Sequence, residues 1–116
     1  MSRIQPILDN LIGTEDADDL MIDIMEALSN TVDQVAIPGN FYTFIYLPKT
    51  PDIQYDEHPL VACTNTYEWG FDAINFHWEM PRRYTWQEVQ GNLYQCTQEE
   101  KEQLRTIPYQ KFRLNT

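Results

Sequence analysis

Between Phe41 and Trp78 the chain is written largely in aromatic and β-branched residues, broken twice by turn-forming ones, and this constrains the fold more than any other feature. Phe41-Tyr-Thr-Phe-Ile-Tyr-Leu47 predicts a first strand that Pro48-Lys-Thr-Pro51 ends. Leu60 to Tyr67 predicts a second and Phe71 to Trp78 a third. The short link Glu68-Trp69-Gly70 joins these two as a hairpin. In the third strand Phe71, Ala73, Asn75 and His77 share one face, and Asp72, Ile74, Phe76 and Trp78 share the other. Both faces carry large apolar residues, so a flat sheet with one wet side does not suit the pattern. A strongly curved sheet or small barrel does.

The flanks read differently. Ile4, Ile7, Leu8 and Leu11 recur at helical spacing, with Pro6 admissible in a first turn and Gly13 as the stop. Thr14 is the expected N-cap of a second helix whose first turn holds Glu15, Asp16, Asp18 and Asp19, where negative charge suits the helix dipole. Ala17, Leu20, Met21, Ile24 and Leu28 form its apolar stripe, and Ile22, Met25 and Val32 widen it. So broad a stripe implies cover on more than one side, from the same domain or from another chain. After Met80-Pro81, Thr85-Trp-Gln-Glu88 and Thr97-Gln-Glu-Glu100 both have capping-box spacing. They predict a short helix ending before Gly91 and another running to about Thr106, which Pro108 stops. Tyr109 to Leu114 alternates and is the expected last strand.

The expectation is therefore an α+β fold. Two N-terminal helices precede a small, strongly twisted antiparallel sheet, for which an SH3-like barrel is the candidate architecture, and short helices come after it. With 116 residues and no repeat or linker, one domain spans 1–116. It divides into a helical section over 1–37, a β-rich core over 39–94, and a helix and tail over 95–116.

Charge limits the partners. Residues 1–40 carry −7, 41–78 carry −4 and 79–116 carry +1. Such a surface repels phosphate, so nucleic acid is not an expected partner. The bases Arg82, Arg83, Lys111 and Arg113 read as ordinary surface charge. No stretch approaches the ~20 apolar residues of a membrane helix, and no membrane role is expected. The first residues hold no signal-peptide core, so Cys63 and Cys96 are expected reduced and buried.

Motifs for catalysis are weak. Cys63 and His77 fall on neighbouring strands, a spacing open to a Cys–His pair, but the plainer reading is a core cysteine and a sheet histidine. Ser2 and Ser29 sit in no nucleophile elbow. Asp52, Asp56, Glu57 and His58 form an acidic loop without calcium-loop spacing. Four scattered glycines build no phosphate cradle. No zinc-ligand cluster exists, so no metal or cofactor is expected and no enzymatic activity is assigned. Aromatics make up 13% of the chain, more than a small core needs, which points some of them at an interface.

Three segments carry a resemblance: Gly39-Asn-Phe-Tyr-Thr-Phe-Ile-Tyr-Leu-Pro-Lys49, then Tyr55-Asp-Glu-His-Pro-Leu-Val61, then Trp69-Gly-Phe-Asp-Ala-Ile-Asn-Phe-His77. In this order they resemble small virion and unassigned proteins of contractile-tailed bacteriophages, cyanophages among them, over about residues 39–94. The resemblance implies a structural component of a tailed-phage particle, in contractile tail or baseplate. Such a component is assembled in the host cytoplasm and present in multiple copies among other virion proteins. Its contact residues are expected at Leu20, Ile24, Trp69, Arg82, Arg83 and Trp86. The other reading from the charge is a small acidic regulatory protein that binds a basic host protein.

Overall fold

The computed structural model describes residues 2–12, 15–46, 59–76 and 79–107. Its elements are α1 (Gln5–Leu8), α2 (Ala17–Ala27), β1 (Val32–Asp33), β2 (Phe41–Tyr46), β3 (Leu60–Thr66), β4 (Gly70–Asn75), β5 (Met80–Thr85), β6 (Val89–Cys96) and α3 (Gln98–Arg105). The six strands form one antiparallel sheet in the order β1-β6-β2-β3-β4-β5. The α+β class is as expected. The barrel is not: the sheet stays open, with β1 and β5 as its edges.

Open does not mean flat. β5 and β6 are joined by three residues, yet β4, β3 and β2 lie between them in the sheet. β2 and β5 stand three strand spacings apart, about 14 Å in a flat sheet. The Phe44 and Tyr84 rings nonetheless meet at 5.4 Å, and Tyr46 and Tyr84 at 4.9 Å. The sheet is therefore curled, and register shifts between Thr43 and Ile45 and between Cys63 and Asn65 add local twist.

Curling creates two cores. On the inner face Tyr42, Phe44, Tyr46, Val61, Phe71 and Tyr84 pack with Leu93 and Ala73. Their rings meet mostly edge to face, the arrangement aromatic quadrupoles prefer. Buried Asn75 donates its side-chain amide to the Tyr84 hydroxyl at 3.0 Å, so neither polar group is stranded. On the other side Ile4, Leu20, Met21, Ile24, Met25 and Leu28 meet Leu60, Cys96, Leu104 and Ile107. Phe41 and Ile45 on β2 join this second core, so β2 is covered on both faces.

Leu20, Met21, Ile24 and Met25 of α2, with Leu28 at its C-cap, are covered by their own chain, on the sheet and on α3, whereas Ile22 and Val32, expected to widen the stripe, are exposed. The helix begins later than expected. Asp16 is its N-cap, accepting from the Asp18 amide at 2.8 Å, and Asp18 and Asp19 occupy the first turn. Thr14 lies outside the described residues.

The region 80–96 departs most from expectation. Thr85-Trp-Gln-Glu88 opens no helix; it turns the chain from β5 into β6, with the Thr85 hydroxyl 2.5 Å from a Glu88 carboxylate oxygen. The next four residues, Val89-Gln-Gly-Asn92, are poor helix material and belong to β6, which pairs with β2 instead. The second box is real. Glu100 N donates to Thr97 Oγ1 at 3.2 Å, Thr97 N donates to Glu100 at 2.9 Å, and the helix formers Gln98–Arg105 continue from there. Pro81 sits in β5, an edge strand, where its missing N–H costs no ladder bond. The third strand ends at Asn75, and Glu79 takes a left-handed φ of 54° in the turn to β5. His77, Trp78, Pro108 and the expected strand Tyr109 to Leu114 lie outside the described residues.

Candidate functional site

The β3–β4 hairpin ends in Tyr67-Glu68-Trp69, closed by Tyr67 N donating to Gly70 O at 2.8 Å. Gly70 is required by its neighbour. A Cβ there would lie 1.9 Å from the Tyr84 carbonyl oxygen, so only glycine lets β5 lie this close. The close approach brings the end of β5 against the hairpin tip. Trp86 N donates to Trp69 O at 3.2 Å, and Trp86 Nε1 donates to Tyr67 O at 3.0 Å.

The result is a small aromatic platform. The Tyr67 and Trp69 rings stack with centroids 5.0 Å apart and planes 8° from parallel. They are 41% and 44% exposed, unusually open for rings of this size. The Arg83 guanidinium lies 5.8 Å from the Trp69 ring centroid, and its Nε is 3.6 Å from Asp72. The Tyr67 hydroxyl donates to the other Asp72 oxygen at 3.1 Å, and this bond, with some burial, raises the Tyr67 pKa and keeps it a donor. Trp86 is half-buried beneath, its ring 5.2 Å from Phe71, and anchors the platform to the inner core. Exposed Ile74 and Pro81, opposite each other across β4 and β5, continue the outer face.

Of the six residues expected at a contact surface, the structure brings three together here: Trp69, Arg83 and Trp86. Arg82 pairs with Ala73 in the β4–β5 register while Arg83 pairs with Asp72, so Arg82 alternates to the other face and is half-buried. Leu20 and Ile24 are 3% and 0% exposed in the helical core, so helix packing within the chain takes them up and they present no surface. Tyr67 and Asp72 also belong to the platform, though neither was among the six expected contact residues. The signal for Tyr67 was its place two residues before Trp69 across a tight turn.

The arrangement offers binding chemistry of the kind concentrated at protein interfaces, Trp, Tyr and Arg around rigid anchors. Cys63 is buried on β3, and burial, with the Asp72 charge, pushes its thiol above the ordinary range, the reverse of an activated nucleophile. Its expected companion His77 lies outside the described residues, as do Asp52, Asp56, Glu57 and His58. Among the described residues no three metal-ligating side chains gather at one point, and no helix is long and apolar enough to cross a membrane. No protein-family model matches the chain, and neither curated proteins nor solved structures show a significant similarity to it.

Proposed function

We propose that this chain is an assembly protein: a structural component of a tailed-phage virion, in the contractile tail or baseplate, that works through protein–protein contacts. The observation that carries the contact role is the stacked, solvent-facing Tyr67–Trp69 pair with Arg83 against it. The setting comes from the resemblance over residues 39–94. We read the strand path, a β2-β3-β4-β5 meander with β6 returning beside β2, as an SH3-like one left open, with β5 unpaired to the β1–β6 side. The reading assigns the chain no catalytic role. Quantitative mass spectrometry of purified particles tests it. A fixed copy number, lost in a Trp69→Ala/Arg83→Ala double variant that still folds, supports it; absence of the wild-type chain from particles overturns it. The −7 charge of residues 1–40 favours a second reading, an acidic regulatory protein on a basic host protein. That reading predicts absence from particles and a salt-sensitive host complex.

A further inference from the structure

A second surface lies apart from the aromatic platform, in the groove between α1 and the first half of α2. The groove encloses about 460 Å³. Its floor is apolar, from half-buried Ile7 and Leu11. Its rim is acidic, from Glu15, Asp16, Asp19 and Asp23.

The helix geometry orders this rim. Asp16, Asp19 and Asp23 recur at i, i+3 and i+7, a stripe about 10 Å long on one side of α2. The opposite side of α2 is spent on the core. No Lys or Arg occurs between Arg3 and Lys49, and Arg3 is engaged by Glu100, Asn30, Thr31 and Gln95. The spread of the carboxylates also matters. No three acids among the described residues converge on a point, so the rim suits an extended row of positive charges and not a single ion.

We propose that this groove docks a basic amphipathic helix of a partner protein, its Leu or Ile stripe on the floor and its Lys or Arg row along Asp16, Asp19 and Asp23. The helix-in-groove mode needs both components, an apolar channel and a complementary edge, and both are present. The charge pattern repels nucleic-acid phosphate. The inference rests on the reading that the chain acts through protein contacts, but not on where it resides, so it survives absence from the particle.

The test is fluorescence anisotropy of the full chain with a labelled helical peptide of about 18 residues, Leu on one face and Lys at its edges. A peptide of the same composition with the stripe scrambled is the reference. Binding about tenfold or more tighter for the striped peptide, weakened about tenfold by Asp19→Asn/Asp23→Asn and by raising salt from about 50 to about 300 mM, supports the proposal. Both aspartates are exposed, and circular dichroism checks that the variant folds. Equal binding of the two peptides reduces the rim to bulk acidity and overturns the proposal. So does binding that ignores the Asp variant, or that disappears instead in Trp69→Ala/Arg83→Ala, which assigns the peptide to the aromatic platform.

Discussion

Arg3 and Glu100, 97 positions apart, meet in a two-pronged ion pair. Arg3 Nη2 donates to one carboxylate oxygen at 2.7 Å; its Nε, at 3.0 Å, and its backbone N, at 2.8 Å, donate to the other. The Glu100 side chain has no exposed surface, so its charge stands only because these donors and Thr97 N replace water. The pair pins the segment before α1 to the start of α3.

Acid should undo this link. Burial works against ionisation of Glu100, but the hydrogen bonds from Arg3 and Thr97 outweigh it and bring the pKa to about 2. A folded-state pKa below the usual carboxylate value contributes stability above about pH 4.5, lost as pH falls toward 2. The contribution is roughly 3 kcal/mol. Urea unfolding across pH 2–7 should show this loss in the wild type. Glu100→Gln should start lower by a similar amount and change less over that window. Parallel pH curves for the two proteins would count against the assignment.

A matching effect is expected at the alkaline end. The Tyr42 hydroxyl donates to Asp33 at 2.6 Å and accepts from Ile37 N at 3.1 Å and Asn40 Nδ2 at 3.3 Å. Burial and the Asp33 carboxylate push its pKa to about 12. The fold favours the neutral phenol, so this contribution is whole below about pH 10 and drains away between pH 10 and 12. Absorbance titration at the tyrosinate band should show a late component that Tyr42→Phe removes, at a stability cost of about 1–2 kcal/mol.

Two glycines should respond unequally to alanine. At Gly70 the new Cβ meets the Tyr84 carbonyl at 1.9 Å and the Thr85 Cα at 2.8 Å, both backbone, so β4 and β5 must part. The cost should be about 3 kcal/mol or more. At Gly91 nothing lies within 4 Å and only the φ of +88° is strained, about 1 kcal/mol. Denaturation midpoints rank the two, and a smaller shift for Gly70→Ala would contradict the close approach.

Neither cysteine should react in the native protein. Cys63 is 2% exposed and Cys96 5%. Burial, with Glu100 nearby, pushes the Cys96 thiol to about 12, and burial also raises Cys63. Labelling with a disulfide reagent at neutral pH should track global unfolding for both. Rapid native-state labelling at Cys63 would return the nucleophile reading to contention.

The strands β2, β3 and β4 were legible because the stretch they span is written in aromatic and β-branched residues and broken by turn formers. β5 was not, because Met80-Pro-Arg-Arg-Tyr-Thr buries only Tyr84 fully and makes sense only beside β4. β6 hid behind a capping-box spacing that also serves a strand-to-strand turn, and the residues after the box, not the box, decide the outcome. Trp69 was legible as a site residue because a hairpin tip offers a ring little cover. Leu20 and Ile24 were not separable from a contact surface, since an apolar helix face does not say which element will cover it. The Tyr67–Trp69 stack depends on how the hairpin closes, which spacing alone does not specify.

The place of β6 between β1 and β2 bears on how the protein is made. β6 is the last strand among the described residues, yet it lies inside the sheet, between β1 and β2. While a ribosome is still extending the chain, β2 can already pair with β3, but its other edge stays bare until β6 emerges. For that interval Phe41–Tyr46, the most aromatic strand of the sheet, presents unsatisfied amides and carbonyls to any neighbouring nascent chain. The sheet's completion thus comes only after nearly all of the described chain has been synthesised, and crowding on one message is where this protein is most exposed to pairing with the wrong copy.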